Sequence, residues 1–296
     1  MPVNLSLSPR SSLWTLRVAV VALAALMGRA LAVAAGGRTG TAGWVATIVW
    51  GAVVAGLVVA VMVPSALGLT VVRLLVPTTI PSAAVAVALG AGGTWGTAAV
   101  AIALVTTAVA FGAETGEAMV EGSAYGDERR LPLKVPAALL VPIAFAWLLW
   151  CASGLAAVVL LGAREWVAGI LLAIVATVLS MTLFRRFHQF SRRWLVVVPA
   201  GVVVHDQVVL GETVMVQTTN VRLCRLALAD TQAADLTGPS AGHALEITVK
   251  EMVTGVFAAT RTDPKGRAVH MQSFLVAPSR PGRALHALAA AKVPVG

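Results

Sequence analysis

From Met1 to Ala113 the chain carries no aspartate or glutamate, and its only charges are Arg10, Arg17, Arg29, Arg38 and Arg73. A soluble fold draws about a quarter of its residues from Asp, Glu, Lys and Arg. A stretch this poor in charge has no polar face to give to water, so it needs lipid as its solvent. A helix needs about 20 apolar residues, rising 1.5 Å each, to cross a ~30 Å hydrocarbon core. Segments of that length lie at about 14–35, 43–63, 95–112, 138–161 and 166–184. A sixth, 74–92, is interrupted by Pro77 and Pro81, and glycines 90, 92 and 93 supply a turn after it. Over the whole chain 58% of residues are hydrophobic and 12% charged, which excludes a soluble globular enzyme, a disordered chain and a disulfide scaffold.

The start of the chain imitates a secretory leader: Arg10 and Arg17 precede the apolar run 18–27, and Ala30-Leu31-Ala32 resembles a cleavage site. Arg29 stands between run and site, and more membrane segments follow, so the first span is expected to stay uncleaved. Counting basic residues in the connections sets orientation. Six spans put Arg10, Arg17, Arg73, Arg129, Arg130, Lys134, Arg185, Arg186, Arg192 and Arg193 on one side and Arg38 and Arg164 on the other. Five spans divide them less cleanly. The expectation is a multi-pass cell (inner) membrane protein with both termini cytoplasmic. Tryptophans 14, 44, 95, 147, 150, 166 and 194 fall mostly near span ends, as an interfacial belt does.

Ionisable residues inside a membrane are the first place to look for function. Only Arg29 is expected there, near a span end where its side chain reaches the interface. No carboxylate or histidine lies in a span, so a proton relay has no groups to use. The broken segment 74–92 has two readings, Pro-kinked packing or a transport site whose freed backbone groups bind a solute. No matching break occurs in a second half.

The connection 113–135 concentrates polar chemistry. Glu114, Glu117 and Glu121 share a helical face by spacing, followed by the chain's only tyrosine, Tyr125, and then Asp127, Glu128, Arg129 and Arg130. The expectation is a solvated cytoplasmic connection, with Tyr125, Asp127, Glu128, Arg129 and Arg130 as a candidate partner-docking loop. Arg185, Arg186, Arg192 and Arg193 are candidate contacts for membrane headgroups. Lys250, Arg261, Lys265 and Arg267 form a second basic set with the same reading or as a solvated rim.

After Arg193 the periodicity becomes strand-like: 194–198, 201–206, 213–217, 220–228 with an irregular alternation suggesting a bulge, 244–250, 255–261 and 268–276. Ser279-Arg280-Pro281 then opens a helix to about Lys292. The expected division is a helical transmembrane bundle of about six helices over 1–193 and a cytoplasmic β-rich domain with a C-terminal helix over 194–296. The order of strands and helix resembles bacterial pleckstrin-homology-like (PH-like) domains. SAYGDERRLPLK (123–134), RRWLVVVPAGVVVHD (192–206) and SRPGRAL (279–285) resemble an uncharacterised family of actinobacterial polytopic integral membrane proteins, a resemblance that implies no activity.

No motif for catalysis, cofactor or metal emerges. The histidines (188, 205, 243, 270 and 286) have no ligand spacing, and no GxSxG, Walker A or GxGxxG loop is present. Cys151 and Cys224 lack a CxxC or Cys/His neighbour and read as buried hydrophobes. The tail's near balance of nine bases and seven acids offers no nucleic-acid stripe. The reading is a membrane-anchored interaction or scaffold module rather than an enzyme, with the bilayer and another membrane or cytoplasmic protein as partners. A small-solute transporter or channel using 74–92, and a membrane-embedded enzyme, are the alternatives.

Overall fold

A computed structural model describes residues 9–36, 40–259, 264 and 266–296. The chain divides into two compact units, Met1–Met119 with Ala144–Phe187, and Val120–Ile143 with His188–Gly296.

The first unit is built from α1 (Pro9–Ala34), α2 (Thr41–Met62), α3 (Ala66–Leu75), α4 (Thr79–Ala88), α5 (Thr94–Phe111), the start of a short α6 (Ala113–Glu121), and most of α7 (Ala137–Gly162) and α8 (Trp166–Ser191). Among the described residues six stretches are long and apolar enough to cross a membrane: Ser11–Ala34, Thr41–Met62, Ala66–Ala88, Thr94–Phe111, Ala137–Gly162 and Trp166–Ser191. Val18, Ile48, Val141 and Val167 are exposed on these helices. Outward aliphatic side chains in such numbers suit a lipid solvent and not water. This is a multi-pass membrane protein. Leu16, Val20, Leu23 and Met27 of α1 are buried, as are Ala99, Ala103 and Ala110 of α5. Small residues on α5 let the two backbones approach, and Thr106 Oγ1 reaches the Ala19 carbonyl at 3.4 Å.

The third span runs over 66–88 rather than 74–92. Its start is the Ser65 N-cap, whose hydroxyl accepts from the Gly68 N–H at 3.0 Å. Pro77 lies in the 3₁₀ turn Val76–Thr78 and Pro81 in the first turn of α4, where a missing N–H is tolerated, so the prolines join two helical segments instead of ending one. Arg73 is therefore inside a span, and Arg29 is not the sole arginine there. Arg17 also lies in α1. Arg73 Nε donates to the Ala110 carbonyl (3.2 Å) and Arg17 Nε to the Val61 carbonyl (3.0 Å). Both acceptors are last-turn carbonyls, of α5 and α2, which have no helical donor. A cation at a helix C-terminus also complements the dipole. Arg73 stacks on Phe111 and Arg17 on Trp14.

The second unit holds two four-stranded sheets. One, in order β1-β2-β3-β4, is an antiparallel meander of Arg129–Pro132, Trp194–Val198, Gly201–His205 and Val214–Gln217. The other, in order β5-β7-β8-β6, uses Val221–Leu226, Leu245–Phe257, Arg267–Val276 and Ala234–Asp235, the last parallel to β8. The inward residues of the meander, such as Leu131, Leu195, Val204 and Val216, share one core with Cys224, Ile247 and Phe274 and with Ala284 and Leu288 of α9 (Pro281–Ala290). Residues 129–132, expected in a solvated connection, are thus a strand, and 194–296 shares its compact unit with residues 120–143. Because α7 and α8 intervene, β1 and β2 lie on one side of any membrane that both helices cross. The strands expected at 244–250 and 255–261 are a single strand with a register shift between Thr248 and Val253. Gly255 marks no turn: a Cβ there would sit 2.6 Å from Met271 Cε, so the glycine makes room for that side chain. The irregularity in 220–228 is a register shift between Val221 and Leu223.

Candidate functional site

The loop from Glu121 to Arg130 is tied at its base. Glu121 takes Arg129 Nη1 and the Arg130 N–H on its two carboxylate oxygens, both at 2.8 Å. Glu128 pairs with Arg130 and accepts the Tyr125 N–H at 3.0 Å, and Arg130 Nη1 reaches Ser123 Oγ at 3.1 Å. Gly126, at φ +60°, makes the reversal that a side chain would resist. The outcome is a closed turn with Asp127 exposed and Tyr125 89% exposed. Upstream, Glu117 is buried, so the face it shares by spacing with Glu114 and Glu121 is not a uniformly solvated one.

Behind the loop the outward side of the meander carries a layered row. Arg130 lies over the Trp194 ring (5.2 Å), and Trp194 stacks on His205 at 5.2 Å and 20°. Register explains it: Pro132, Trp194 and His205 are direct neighbours across β1, β2 and β3. His205 Nδ1 meets Thr213 Oγ1 at 3.2 Å, while its buried Nε2 has no hydrogen-bond partner among the described residues. Burial, then the positive charge of Arg192, holds the imidazole below its ordinary value, with Asp206 opposing and Arg130 assisting.

The four arginines expected at headgroups separate. Arg185 and Arg186 are exposed and Arg192 is half-buried. Arg193 is a correction: its side chain is fully buried and forks onto Asp206, Nε to Oδ1 at 2.8 Å and Nη2 to Oδ2 at 2.6 Å. It also donates to the Lys134 and Thr237 carbonyls, so none of its planar fork faces a lipid. Of the second basic set, Lys250 and Arg267 are exposed, Lys250 donating to the Thr219 carbonyl, while Arg261 and Lys265 lie outside the described residues.

In the helical unit a cavity of about 520 Å³ opens among α1, α2, α3, α4, α7 and α8. Leu75, Thr78, Ser82 and Leu89 of the broken segment line it. A transport site would turn freed backbone groups into this space. Instead the Leu74 carbonyl accepts Trp147 Nε1 (3.1 Å), the Leu75 carbonyl accepts Thr78 Oγ1 (2.7 Å) and the Val76 carbonyl accepts Thr79 Oγ1 (2.6 Å). Ser82, Thr177 and Ser180 likewise donate to carbonyls of their own helices. Trp150 Nε1 donates to Ser180 Oγ at 2.7 Å, so Trp147 and Trp150 serve inside the bundle rather than in an interfacial belt.

Cys151 and Cys224 are free and buried, and burial pushes the Cys224 thiol up to about 12. Among the described residues no three His, Cys, Asp or Glu side chains are grouped to hold a metal ion. Comparison with known proteins finds no matching family, no matching curated protein and no matching solved structure.

Sequence reasoning missed three features. Arg73 in a span was legible in the Ser65 cap and the apolar run behind it. The cavity left no sequence signal because it arises between separate helices, and the Arg193–Asp206 fork left none because it depends on the register of the β2–β3 hairpin and on the burial of its open end.

Proposed function

We propose that this chain is a membrane-anchored interaction or scaffold module, held in the cell (inner) membrane with both termini cytoplasmic. The helical part is the anchor, and the loop at Tyr125 meets a protein partner. One observation carries this reading: the only tyrosine stands almost fully exposed on a turn already closed by Glu121, Glu128 and Arg130. A rigid, exposed aromatic binds at low entropic cost, and aromatic and arginine anchors dominate interface energetics. Two sheets closed by a C-terminal helix support the PH-like analogy in outline. Arg185, Arg186 and Arg192 remain the residues proposed for anionic headgroups, each worth about 1 kcal/mol near the surface.

A photo-crosslinking aromatic placed at residue 125 in native membranes tests the proposal. It should yield a discrete protein adduct, and Tyr125→Ala should weaken co-purification of that same protein about thirty-fold, a loss of about 2 kcal/mol. Insertion and expression should not change, since an exposed side chain contributes within about 0.5 kcal/mol to folding. A Tyr125→Ala protein that keeps every partner would refute it.

A further inference from the structure

The cavity in the helical unit has a shape as well as a volume. Its wall runs along α2 from Ala42 to Val53 and along α7 from Trp150 to the end of that helix. At 1.5 Å per residue each stretch covers about 17–18 Å. Spread over that length, 520 Å³ is a mean cross-section of about 30 Å². A methylene chain is about 4 Å across, the contact distance of two carbons. A disc of that width covers about 13 Å², so the space is long and wide enough to take such a chain along its whole length. Its length also matches one leaflet, about half of the ~30 Å core.

The chemistry of the wall agrees. Ala46, Val49, Leu155, Val158 and Val159 make it apolar, and Gly154 leaves it open. The hydroxyls of Thr78, Ser82, Thr177 and Ser180 spend their protons on helix carbonyls, and the indole N–H groups of Trp50 and Trp150 donate to the Ala24 carbonyl and Ser180 Oγ. A polar solute entering here would lose its water and find no donor. A hydrocarbon chain loses nothing, and bilayer phospholipids supply such chains at the highest concentration around these helices.

We infer that this cavity is a binding site for an acyl chain of a bilayer phospholipid. The chain enters from the half of the helical unit where the α1–α2, α4–α5 and α7–α8 connections lie, because Ala35, Ala42, Leu89 and Ala163 stand at that end of the cavity. The bound chain fills a space that side chains do not, and so fixes the spacing of α2, α7 and the Pro77 turn.

Cys151 lines the cavity and Gly154 faces it one turn on, which makes the site testable. In a Cys224→Ala background, an apolar maleimide should label Cys151 in protein delipidated with detergent. Reconstitution into vesicles of dioleoyl phosphatidylglycerol and phosphatidylethanolamine should slow labelling at least tenfold. Native mass spectrometry of the wild type should show one retained phospholipid. Gly154→Leu, which has room since the nearest atom to an added Cβ is Ala176 Cβ at 4.0 Å, should fill the cavity and lose that phospholipid without loss of melting temperature. If Gly154→Leu fails to fold, Ala46→Phe repeats the test from the opposite wall, and Cys151 protection in the unfilled protein decides independently. Equal labelling with and without phospholipid, phospholipid retention unchanged in a folded filled variant, or retention of an isoprenoid in place of a phospholipid would each overturn the inference.

Discussion

Replacing Arg193 by Met should unfold the β-rich unit far more readily while leaving the apolar helices inserted. The side chain is completely buried, makes two charge-assisted bonds to Asp206 and holds the Lys134 and Thr237 carbonyls. Without it, Asp206 keeps, among the described residues, the Val208 and Val209 N–H groups, at 3.0 and 3.3 Å, for a charge still shut away from water. Breaking a buried pair by removing one partner costs about 3–5 kcal/mol, a large share of the roughly 5–15 kcal/mol that holds a domain folded. Cys224 reports on this unit directly: it is fully buried, and with its thiol pushed up to about 12 it reacts only when the core opens. In a Cys151→Ser background, the rate of Cys224 labelling should therefore rise between about a hundred-fold and a few thousand-fold, at 1.4 kcal/mol per tenfold. The double variant Arg193→Met, Asp206→Leu should recover much of the loss, because no charge is then left buried alone. If Arg193→Met labels at the wild-type rate, or the double variant labels as fast as the single, the pair does not hold the unit together and the argument fails.

Further outcomes follow from other contacts. The unfolded chain takes up a proton at His205 first as pH falls through 6.5, because the folded state holds that group lower, so the β-rich unit should lose stability below pH 6.5; His205→Phe should flatten the slope between pH 6.5 and 5, and an unchanged slope would discard the assignment. Glu246 adds a more acidic loss: burial alone raises its carboxyl, but hydrogen bonds from Arg225 and Ser273 outweigh it and hold the group below 4.5, so its contribution fades only below that pH. Gly201→Ala would press a Cβ to 2.1 Å from the Val216 carbonyl oxygen and should cost about 1–3 kcal/mol in the Cys224 assay, whereas Gly282→Ala, with open space around it, should cost nothing. The fragment 194–296 expressed alone lacks β1, Leu131, Leu133 and Arg193 and should show no cooperative melt; a sharp β-sheet transition would show those contributions to be dispensable. Cytosol-active reporters fused at residue 5 and residue 296 should both be active, and an inactive N-terminal reporter would defeat the even span count.

What the residues determine by themselves is solvent and periodicity. The acid-free first 113 residues and the apolar runs behind them dictate helices in lipid, since a helix satisfies its own backbone where no water can. Alternation after Trp194 dictates strands, and Pro281 the start of the last helix, because these patterns are local and each residue's preference acts within a few positions. The tertiary structure alone decided the remainder. The prolines in 74–92 lie within a helical span that starts at Ala66, behind the Ser65 cap, and side chains take up the Leu74, Leu75 and Val76 carbonyls beside the 3₁₀ turn. Residues 129–132, polar enough to pass for a connection, became a strand because β2 offered an unpaired edge and the core had places for Leu131 and Leu133. Arg193, one of four similar bases at the end of a span, is buried where its neighbours are not, because Asp206, 13 residues away, returns beside it across the β2–β3 hairpin. The cavity along α2 and α7 is a property of no residue singly: small side chains on separate helices face one another there, and only packing reveals the space they leave.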